Sequence, residues 1–203
     1  MSFPCAIQAG MRSVLSVRMA WTVWLGRRDR DRVAGMPGIG VVTISDRCAA
    51  GRQVDTTGPA VARILSENWP EETIGRGLVP DNEDAIVTLL HELCHQEYRL
   101  ILTAGGTGLG PRDVTPEATR RVIGREVPGL AEAMRATCAP TYRFAWLSRA
   151  VAGLCGTTLI VNLPGSERGA VESLRALLPL LPHALEVIAG GQTHPGTSSG
   201  HGV

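Results

Sequence analysis

The sequence predicts an α/β fold with three layers, in which a mostly parallel sheet carries helices on both faces. Short runs of apolar and β-branched residues, typical of strands buried on both sides, recur along the chain. Between them lie segments whose apolar residues repeat at helical spacing. Polar or glycine-rich residues follow the apolar runs directly. A chain that alternates strand and helix in this way forms parallel strands joined by helical crossovers.

Three strands and two helices are predicted in the first half of this pattern. The strands lie over residues 39–44, within 73–79, and over 99–103. Thr57, with Pro59 two positions later, marks the start of the first helix. The apolar stripes of the two helices are Val61, Ile64, Leu65 and Trp69, and Ile86, Leu89, Leu90 and Leu93.

The second half contains further helices and one clear strand. Helices are predicted over residues 116–123 and 129–137, and a strand over 158–162. A long helical stripe then covers residues 167–188. Pro179 and Pro182 are expected to break or kink it, because proline removes a helical hydrogen bond and clashes with the preceding turn.

One domain over residues 36–190 is expected, with different segments on either side. Residues 1–35 contain six Arg and two Asp, and three interpretations are open. They are a translation start placed upstream of the true one at Met36, a disordered or amphipathic arm, and a targeting peptide. Residues 191–203 are rich in Gly, Ser, Thr and His and are expected to form a disordered tail.

Composition excludes several classes of protein. The formal charge is +1, but residues 36–203 hold 14 Arg and 17 acidic residues, so the predicted domain is mildly acidic and unsuited to nucleic acid. No apolar run approaches the roughly 20 residues needed to span a bilayer. The five cysteines form no CxxC pair, which favours a reduced, cytoplasmic protein. There is no lysine, so any cation that binds phosphate must be arginine.

The segment over residues 103–119, TAGGTGLGPRDVTPEAT, predicts a phosphate-binding loop. It follows an apolar strand, contains four glycines within six positions, and leads into a helix start at Thr115. Glycine allows backbone amides to approach an anion closely, and a helix N-terminus adds partial positive charge. Arg112 and Asp113 lie between the glycines and the helix, where they could orient a phosphate and hold Mg²⁺.

Four polar segments follow predicted strands and should meet at one edge of the sheet, where ligands bind in such folds. They are residues 45–47, 80–84, 105–113 and 162–166. Each has a simpler explanation when taken alone. Asp81 and Asp113 could be helix caps, and the glycines could form an ordinary tight turn. Their coincidence at one edge favours a binding site.

Six motifs, in order, resemble the molybdopterin-binding MogA/MoaB family, which includes the G domain of gephyrin. Besides residues 103–119, the motifs are VTISDR at 42–47, VPD at 79–81, PGLAEAM at 128–134, LSR at 147–149 and LIVNLPGS at 159–166. The resemblance covers residues 38–190. It departs from the family at Ala104, where relatives commonly carry Thr or Ser and its hydroxyl.

The resemblance implies a molybdopterin adenylyltransferase, a nucleotidyltransferase that uses Mg-ATP to place AMP on molybdopterin and releases pyrophosphate. It implies a homo-oligomer, a trimer or hexamer, and a later molybdate-inserting enzyme as a possible partner. By motif position, Asp81 and Asp113 are the expected catalytic and Mg²⁺-binding residues. The expected substrate-binding residues are Ser45, Asp46, Arg47, Gly105, Gly106, Thr107, Gly108, Arg112, Ser148, Arg149, Asn162, Pro164, Gly165 and Ser166.

Other interpretations remain open from the sequence. Arg47, Arg112 and Arg149 are candidate phosphate clamps or surface ion-pair partners, and Ser148 could bind substrate or cap a helix. The protein could bind or store molybdopterin without turnover. A nicotinamide dehydrogenase is disfavoured, because no GxGxxG motif follows the first strand. Trp146 is expected in the core, although the apolar residues around it could form a subunit interface.

Overall fold

The computed structural model describes residues 38–191. The predicted N-terminal extension, residues 1–35, and all of the predicted tail except residue 191 lie outside this range. The expectations for those two segments therefore stay predictions. Among the helices of residues 38–191, none has the length and apolar character required to cross a bilayer.

Six strands form a single sheet in the order β2-β1-β3-β6-β5-β4. The strands β2, β1, β3 and β6 are parallel, whereas β5 is antiparallel to both β6 and β4. Their bounds are β1 Ile39–Ile44, β2 Ile74–Val79, β3 Leu100–Ala104, β4 Arg125–Glu126, β5 Ala152–Cys155 and β6 Thr158–Leu163. The predicted, mostly parallel sheet is confirmed, with an antiparallel edge added to it.

Seven α-helices and one 3-10 helix connect the strands within the described residues. The α-helices are α1 Asp46–Ala49, α2 Thr57–Asn68, α3 Glu83–His95, α4 Thr115–Val122, α5 Pro128–Cys138, α6 Glu167–Leu177 and α7 Leu181–Ile188. The 3-10 helix spans Arg143–Leu147. The predicted interruption by proline is confirmed, since α6 ends before Pro179 and Pro182 lies in the first turn of α7.

The core lies on both faces of the sheet, as expected for three layers. On β3, Leu100 and Leu102 pack into a cluster with residues of α2, α5, α6 and α7. Ile101, which points to the other face, packs into a second cluster with residues of α3 and α4. These three side chains are fully buried. Burial of alternate residues on opposite faces explains why the strand sequences are apolar throughout.

The antiparallel edge was not predicted from the sequence. Strands β5 and β6 are joined by the two residues Gly156 and Thr157, and Gly156 has a φ of 60°. A positive φ at the first central position suits a two-residue hairpin turn, and glycine adopts it without a steric penalty. Gly156 in the sequence is compatible with this turn. The strands themselves were not recognised because β5 is only four residues long and β4 only two.

The expectation that Trp146 is a core residue is wrong. Its side chain is 60% exposed, and the 3-10 helix that carries it contains no buried residue. Tyr142, Phe144 and Leu147 are also at least half exposed. These four exposed apolar residues, Tyr142, Phe144, Trp146 and Leu147, form a surface that we call the aromatic patch.

Candidate active site

The ends of β1 and β2 are joined by a reciprocal pair of hydrogen bonds between two aspartates. The amide of Asp46 donates to Asp81 Oδ2 at 2.7 Å, and the amide of Asp81 donates to Asp46 Oδ1 at 3.1 Å. The amide of Ser45 also donates to the Val79 carbonyl at 2.9 Å. Two segments separated by 35 positions in the sequence are thus held at one edge of the sheet.

Asp81 does not act as a helix cap. Asn82 is the N-cap of α3, and its side-chain oxygen accepts the Ala85 amide at 2.9 Å. Burial raises the pKa of the Asp81 carboxyl, and the negative charges of Asp46 and Asp113 raise it further, although the Asp46 amide acts in the opposite direction. Asp46 and Asp113 therefore both disfavour the ionised form of Asp81.

Asp46 has a different environment because it pairs with Arg112. The guanidinium donates to Asp46 Oδ2 from Nε at 3.1 Å and from Nη2 at 2.6 Å. These bonds hold the pKa of the Asp46 carboxyl below its usual range. Arg112 is next to Asp113 in the sequence, but in the structure it pairs with Asp46, which lies just after the end of β1.

The loop after β3 has a backbone that only glycine tolerates well. Gly105 has a φ of 124° and Gly106 a φ of 60°. A Cβ at Gly105 would lie 2.1 Å from the Ile44 carbonyl oxygen, so no side chain fits there. Thr115 holds both residues, since its hydroxyl donates to the Gly105 carbonyl at 2.8 Å and its amide to the Gly106 carbonyl at 3.1 Å.

Asp113 folds back on the same loop. Its Oδ2 accepts the Gly110 amide at 2.8 Å, and a Cβ built at Gly108 would lie 2.9 Å from that oxygen. Asp113 is not the cap of α4, because Val114 occupies the N-cap position and makes no side-chain bond there. The glycines therefore allow the carboxylate to lie close to the backbone of the loop.

Two adjoining cavities lie along this edge of the sheet, with volumes of about 570 and 460 Å³. The larger, which we call the acidic cavity, is bordered by Asp46, Asp81 and the glycine loop. The smaller, the mixed cavity, is bordered by Met134, Phe144 and other residues of α5 and the 3-10 helix. Four residues border both cavities: Gly106, Asp113, Gly165 and Ser166.

Most of the predicted site residues border one of these cavities. The acidic cavity takes Ser45, Asp46, Arg47, Asp81 and Gly105, and the mixed cavity takes Thr107, Gly108, Ser148 and Pro164, in addition to the four that border both. Ser45 and Ser166 also cap α1 and α6, and the Ser148 hydroxyl accepts the Ala150 amide at 3.3 Å.

Three predicted residues do not border either cavity: Arg112, Arg149 and Asn162. Asn162 lies inside β6 and is fully buried. Its amide nitrogen donates to the hydroxyls of Thr103 and Thr119, each at 2.9 Å, and its oxygen accepts the Val151 amide at 3.2 Å. These bonds connect β6 to β3, to α4 and to the residue that precedes β5.

Sequence reasoning did not identify Asp55 or the apolar wall of the mixed cavity. Asp55 borders the acidic cavity, where it accepts the Thr43 hydroxyl at 2.8 Å and the Gly58 amide at 3.0 Å. An acidic residue just before the predicted helix start at Thr57 was a signal for this role. Met134 and Phe144 offered no such signal, because apolar residues in a helical pattern are ordinarily assigned to the core.

The carboxylates of Asp81 and Asp113, with Asp46 at the same cavity, are oxygen donors of the type that hard divalent cations accept. Within the described part of the chain, no group of three or more His, Cys, Asp or Glu side chains is arranged to hold a metal by itself. Mg²⁺ commonly binds through one or two carboxylates together with substrate phosphates and water. Both aspartates border the acidic cavity, so the donor set suits Mg²⁺ that arrives with a nucleotide.

The glycine loop and the neighbouring aspartates thus lie together at the carboxyl edge of an α/β sheet, where ligands bind in such folds. A model of the family described as a probable molybdopterin binding domain matches residues 40–183, more than half of the chain. The chain belongs to this family, as the motifs predicted.

Individual relatives agree with this assignment. Molybdenum cofactor synthesis protein cinnamon of Drosophila melanogaster is 41% identical over 150 residues, which cover 73% of this chain and 25% of cinnamon. A molybdopterin adenylyltransferase of Helicobacter pylori is 40% identical over 156 residues, which cover 75% of this chain and 88% of that protein. The chain therefore spans a quarter of the first relative and most of the second.

A solved structure has the same fold. It is the molybdopterin biosynthesis enzyme MoaB from Thermus thermophilus, which is 50% identical and superposes with a TM-score of 0.71. The superposition covers 76% of this chain and 98% of that one.

Proposed function

We propose that this protein is a molybdopterin adenylyltransferase of molybdenum cofactor biosynthesis. The observation that carries the proposal is the pair of adjoining cavities with a common border at Gly106, Asp113, Gly165 and Ser166. An adenylyl transfer needs two anionic substrates side by side, with their phosphates meeting at one point. Relatives that bear the name molybdopterin adenylyltransferase support the same activity.

The reaction joins two phosphates and releases pyrophosphate. An oxygen of the terminal phosphate of molybdopterin attacks the α-phosphorus of ATP, and a new P–O bond forms. The bond between the α-phosphorus and the bridging oxygen breaks, and its electron pair leaves with pyrophosphate. Because both reactants are anions, catalysis consists mainly of alignment and of neutralising charge.

The residues of the site can supply both effects. The Gly105 amide donates to the Leu163 carbonyl at 3.2 Å, so the backbone amides of residues 106–108 are the ones suited to bind phosphate oxygens. Asp81 and Asp113 would hold Mg²⁺, which would neutralise phosphate charge when bound. Arg47 is exposed at the acidic cavity and is the arginine available there to meet a nucleotide phosphate.

The test is an assay of pyrophosphate release. The full chain is incubated with molybdopterin, ATP and Mg²⁺, and pyrophosphate and adenylyl-molybdopterin are measured together. We expect both products in equal amounts, and neither without molybdopterin. The variant Asp113→Asn should lose the activity while it retains its melting temperature. Unchanged turnover by that variant would show that Asp113 does not hold the metal.

The alternative function is a molybdopterin-binding or scaffold protein without turnover. Its support is the mixed cavity, which is large enough for a small heterocycle and does not itself require a nucleotide. Two aspartates beside a phosphate loop favour catalysis, because simple storage does not need carboxylates that hold a metal. Tight molybdopterin binding without pyrophosphate release would support the alternative.

The assembly and partners belong to the same proposal. The exposed aromatic patch supports a homo-oligomer, a trimer or hexamer, since surfaces of this kind are commonly buried between subunits. A cytoplasmic location and a molybdate-inserting enzyme as a later partner are proposed with it.

A further inference from the structure

Arg149 makes an unusual number of bonds to the loop that borders both cavities. It lies between the 3-10 helix and β5, and its side chain is 33% exposed. Its Nε donates to the Gly108 carbonyl at 2.6 Å, and its Nη2 donates to the Asp113 carbonyl. Its main-chain amide donates to the Thr107 carbonyl at 2.9 Å. One residue thus contacts three carbonyls within residues 107–113.

Glu117 holds the remaining side of the guanidinium. Nη1 of Arg149 donates to Glu117 Oε1, and Glu117 lies in the first turn of α4, directly after the loop. The charge of Arg149 is therefore matched inside the protein, and each of its three side-chain nitrogens has a partner. Three of the five guanidinium N–H groups are therefore engaged inside the protein, and all three of these bonds go to the loop or to Glu117.

The bonds to the loop carbonyls also fix the direction of the loop amides. In a planar trans peptide, the carbonyl of one residue and the N–H of the next point in opposite directions. Because the Thr107 and Gly108 carbonyls face Arg149, the amides of Gly108 and Leu109 face away from it. Two successive peptide units are oriented by a single side chain and its own backbone.

We propose that Arg149 is a positioning residue that sets the conformation of the glycine loop and the backbone at Asp113, with Glu117 holding Arg149 in place. The inference rests on the proposed adenylyl transfer for its kinetic consequences but not for its structural ones. It differs from a phosphate clamp, which would bind the substrate through the guanidinium itself. Arg149 acts on the reaction only through the groups that it orients.

The kinetic test compares Arg149→Ala, Arg149→Lys and Glu117→Gln with the parent protein. We expect Arg149→Ala to lower kcat at least about tenfold, with little change in KM for ATP, because loop geometry acts on alignment. Arg149→Lys should recover part of kcat, since one ammonium replaces some of the donors. The double variant Arg149→Ala with Glu117→Gln should be no slower than Arg149→Ala alone, because the two residues act as a unit.

Arg63→Ala serves as the matched control. Arg63 is a largely exposed arginine of α2 that pairs with Glu67 and does not border either cavity. We expect parental kinetics from this variant. A rise in KM for ATP at constant kcat in Arg149→Ala, or losses that multiply in the double variant, would overturn the positioning role in favour of a phosphate clamp.

Hydrogen exchange separates this inference from the proposed function. Amides of residues 105–114 should exchange at least about tenfold faster in Arg149→Ala than in the parent, while amides of β1 stay protected. An inactive parent would defeat the adenylyl transfer, yet the exchange comparison would still decide the role of Arg149. If Arg149→Ala does not fold, Glu117→Gln retains the arginine and is compared in the same way. Unchanged exchange in the loop of the variants would overturn the proposal.

Discussion

Asp46 and Asp81 hold each other through their main-chain amides, each donating to the other's carboxylate, at 2.7 and 3.1 Å. The arrangement brings two negative side chains together at the ends of neighbouring strands, and burial of Asp81 adds to the electrostatic cost. Charges of like sign are held close only when the surrounding structure imposes it, and such places are common at functional sites. The two amide hydrogen bonds, together with the pairing of Asp46 with Arg112, hold the two carboxylates in place against this repulsion.

The variant Asp81→Asn should be inactive but no less stable than the parent at pH 7. Asparagine keeps an oxygen that can accept the Asp46 amide and removes the repulsion from Asp46 and Asp113. We expect turnover to fall about 10²-fold or more, because charge stabilisation by a metal is worth several kcal/mol. Pyrophosphate release and thermal melting measure the two effects.

The pH dependence of that comparison follows from the raised pKa of Asp81. Between the ordinary aspartate pKa of 3.8 and its raised pKa, the folded protein binds more protons at this carboxyl than the unfolded chain does. The contribution of Asp81 to stability therefore falls as pH rises through that window. The free energy of unfolding of Asp81→Asn should exceed that of the parent by the largest amount at pH 7. This difference should disappear below pH 3.8, where the carboxyl is protonated in both the folded and the unfolded parent. A variant that is less stable at pH 7 would contradict this prediction.

Removal of Arg112 should have the opposite pH dependence and a small size. Arg112 lowers the pKa of Asp46, so the pair stabilises the fold above the ordinary aspartate pKa of 3.8 and loses this effect as pH falls through the lowered pKa. Because the Arg112 side chain is 67% exposed, we expect Arg112→Met to cost less than about 1 kcal/mol at pH 7. Urea unfolding at low salt and at about 1 M salt, where charges are screened within about 3 Å, should show the difference shrinking. A cost that is unaffected by salt would mean that the methylene groups of Arg112, and not its charge, matter.

Substitution of Gly105 should damage both folding and activity, whereas substitution of Gly129 should damage neither. A Cβ at Gly105 would lie 2.1 Å from the Ile44 oxygen, in a backbone with a φ of 124°. The strained backbone alone costs about 1–3 kcal/mol in a residue with a side chain. At Gly129, in the first turn of α5, a Cβ would meet no atom within 4 Å. Urea midpoints and turnover of Gly105→Ala and Gly129→Ala test this pair.

Asn162 should prove to be a structural residue, and its replacement should strongly lower the free energy of unfolding. Asn162→Leu leaves the partners of three buried hydrogen bonds unpaired, at Val151, Thr103 and Thr119. Each unsatisfied group costs about 1–3 kcal/mol. The control Asn68→Leu removes a single bond, to the Ile64 carbonyl, and should cost about 1 kcal/mol. If guanidinium unfolding gives the same loss of stability for Asn162→Leu and Asn68→Leu, the three bonds of Asn162 do not stabilise the fold more than the single bond of Asn68.

The aromatic patch should be the part of the surface that holds subunits together. Trp146 and Phe144 are 60% and 50% exposed, and the double variant Phe144→Ser with Trp146→Ser removes most of the exposed aromatic area there. We expect sedimentation to show a trimer or hexamer for the parent and smaller species for the variant. Val187→Ser, on α7 and 49% exposed, is the control and should sediment like the parent. Identical sedimentation of all three proteins would place the interface elsewhere.

Much of the fold was predictable because local patterns determine it. The apolar strands, the helix starts at Thr57 and Thr115, and the break at the prolines after α6 each depend on residues that are neighbours in the sequence. The antiparallel edge was not predicted because β4 and β5 are too short to show the two-residue alternation of a strand. Trp146 was misplaced because hydrophobicity alone does not distinguish a core residue from a residue at a surface patch.

The site was predictable in its position but not in its contacts. The glycine loop, Asp81 and Asp113 follow from the rule that strand ends meet at one edge. The choice of partner does not follow, since Arg112 reaches Asp46 across 66 positions and Arg149 reaches Gly108 across 41. Such pairings depend on the crossing of loops in three dimensions. The assignment of capping to Asn82 and not to Asp81 was likewise settled only by the backbone geometry of α3.

The common border of the two cavities has a thermodynamic consequence. Gly106 and Asp113 each limit the space of both cavities. Under the proposed function, any factor by which ATP alters the dissociation constant of molybdopterin equals the factor by which molybdopterin alters the dissociation constant of ATP. Order of addition can change the rates in such a protein, but the ternary complex is reached with the same total free energy by either route.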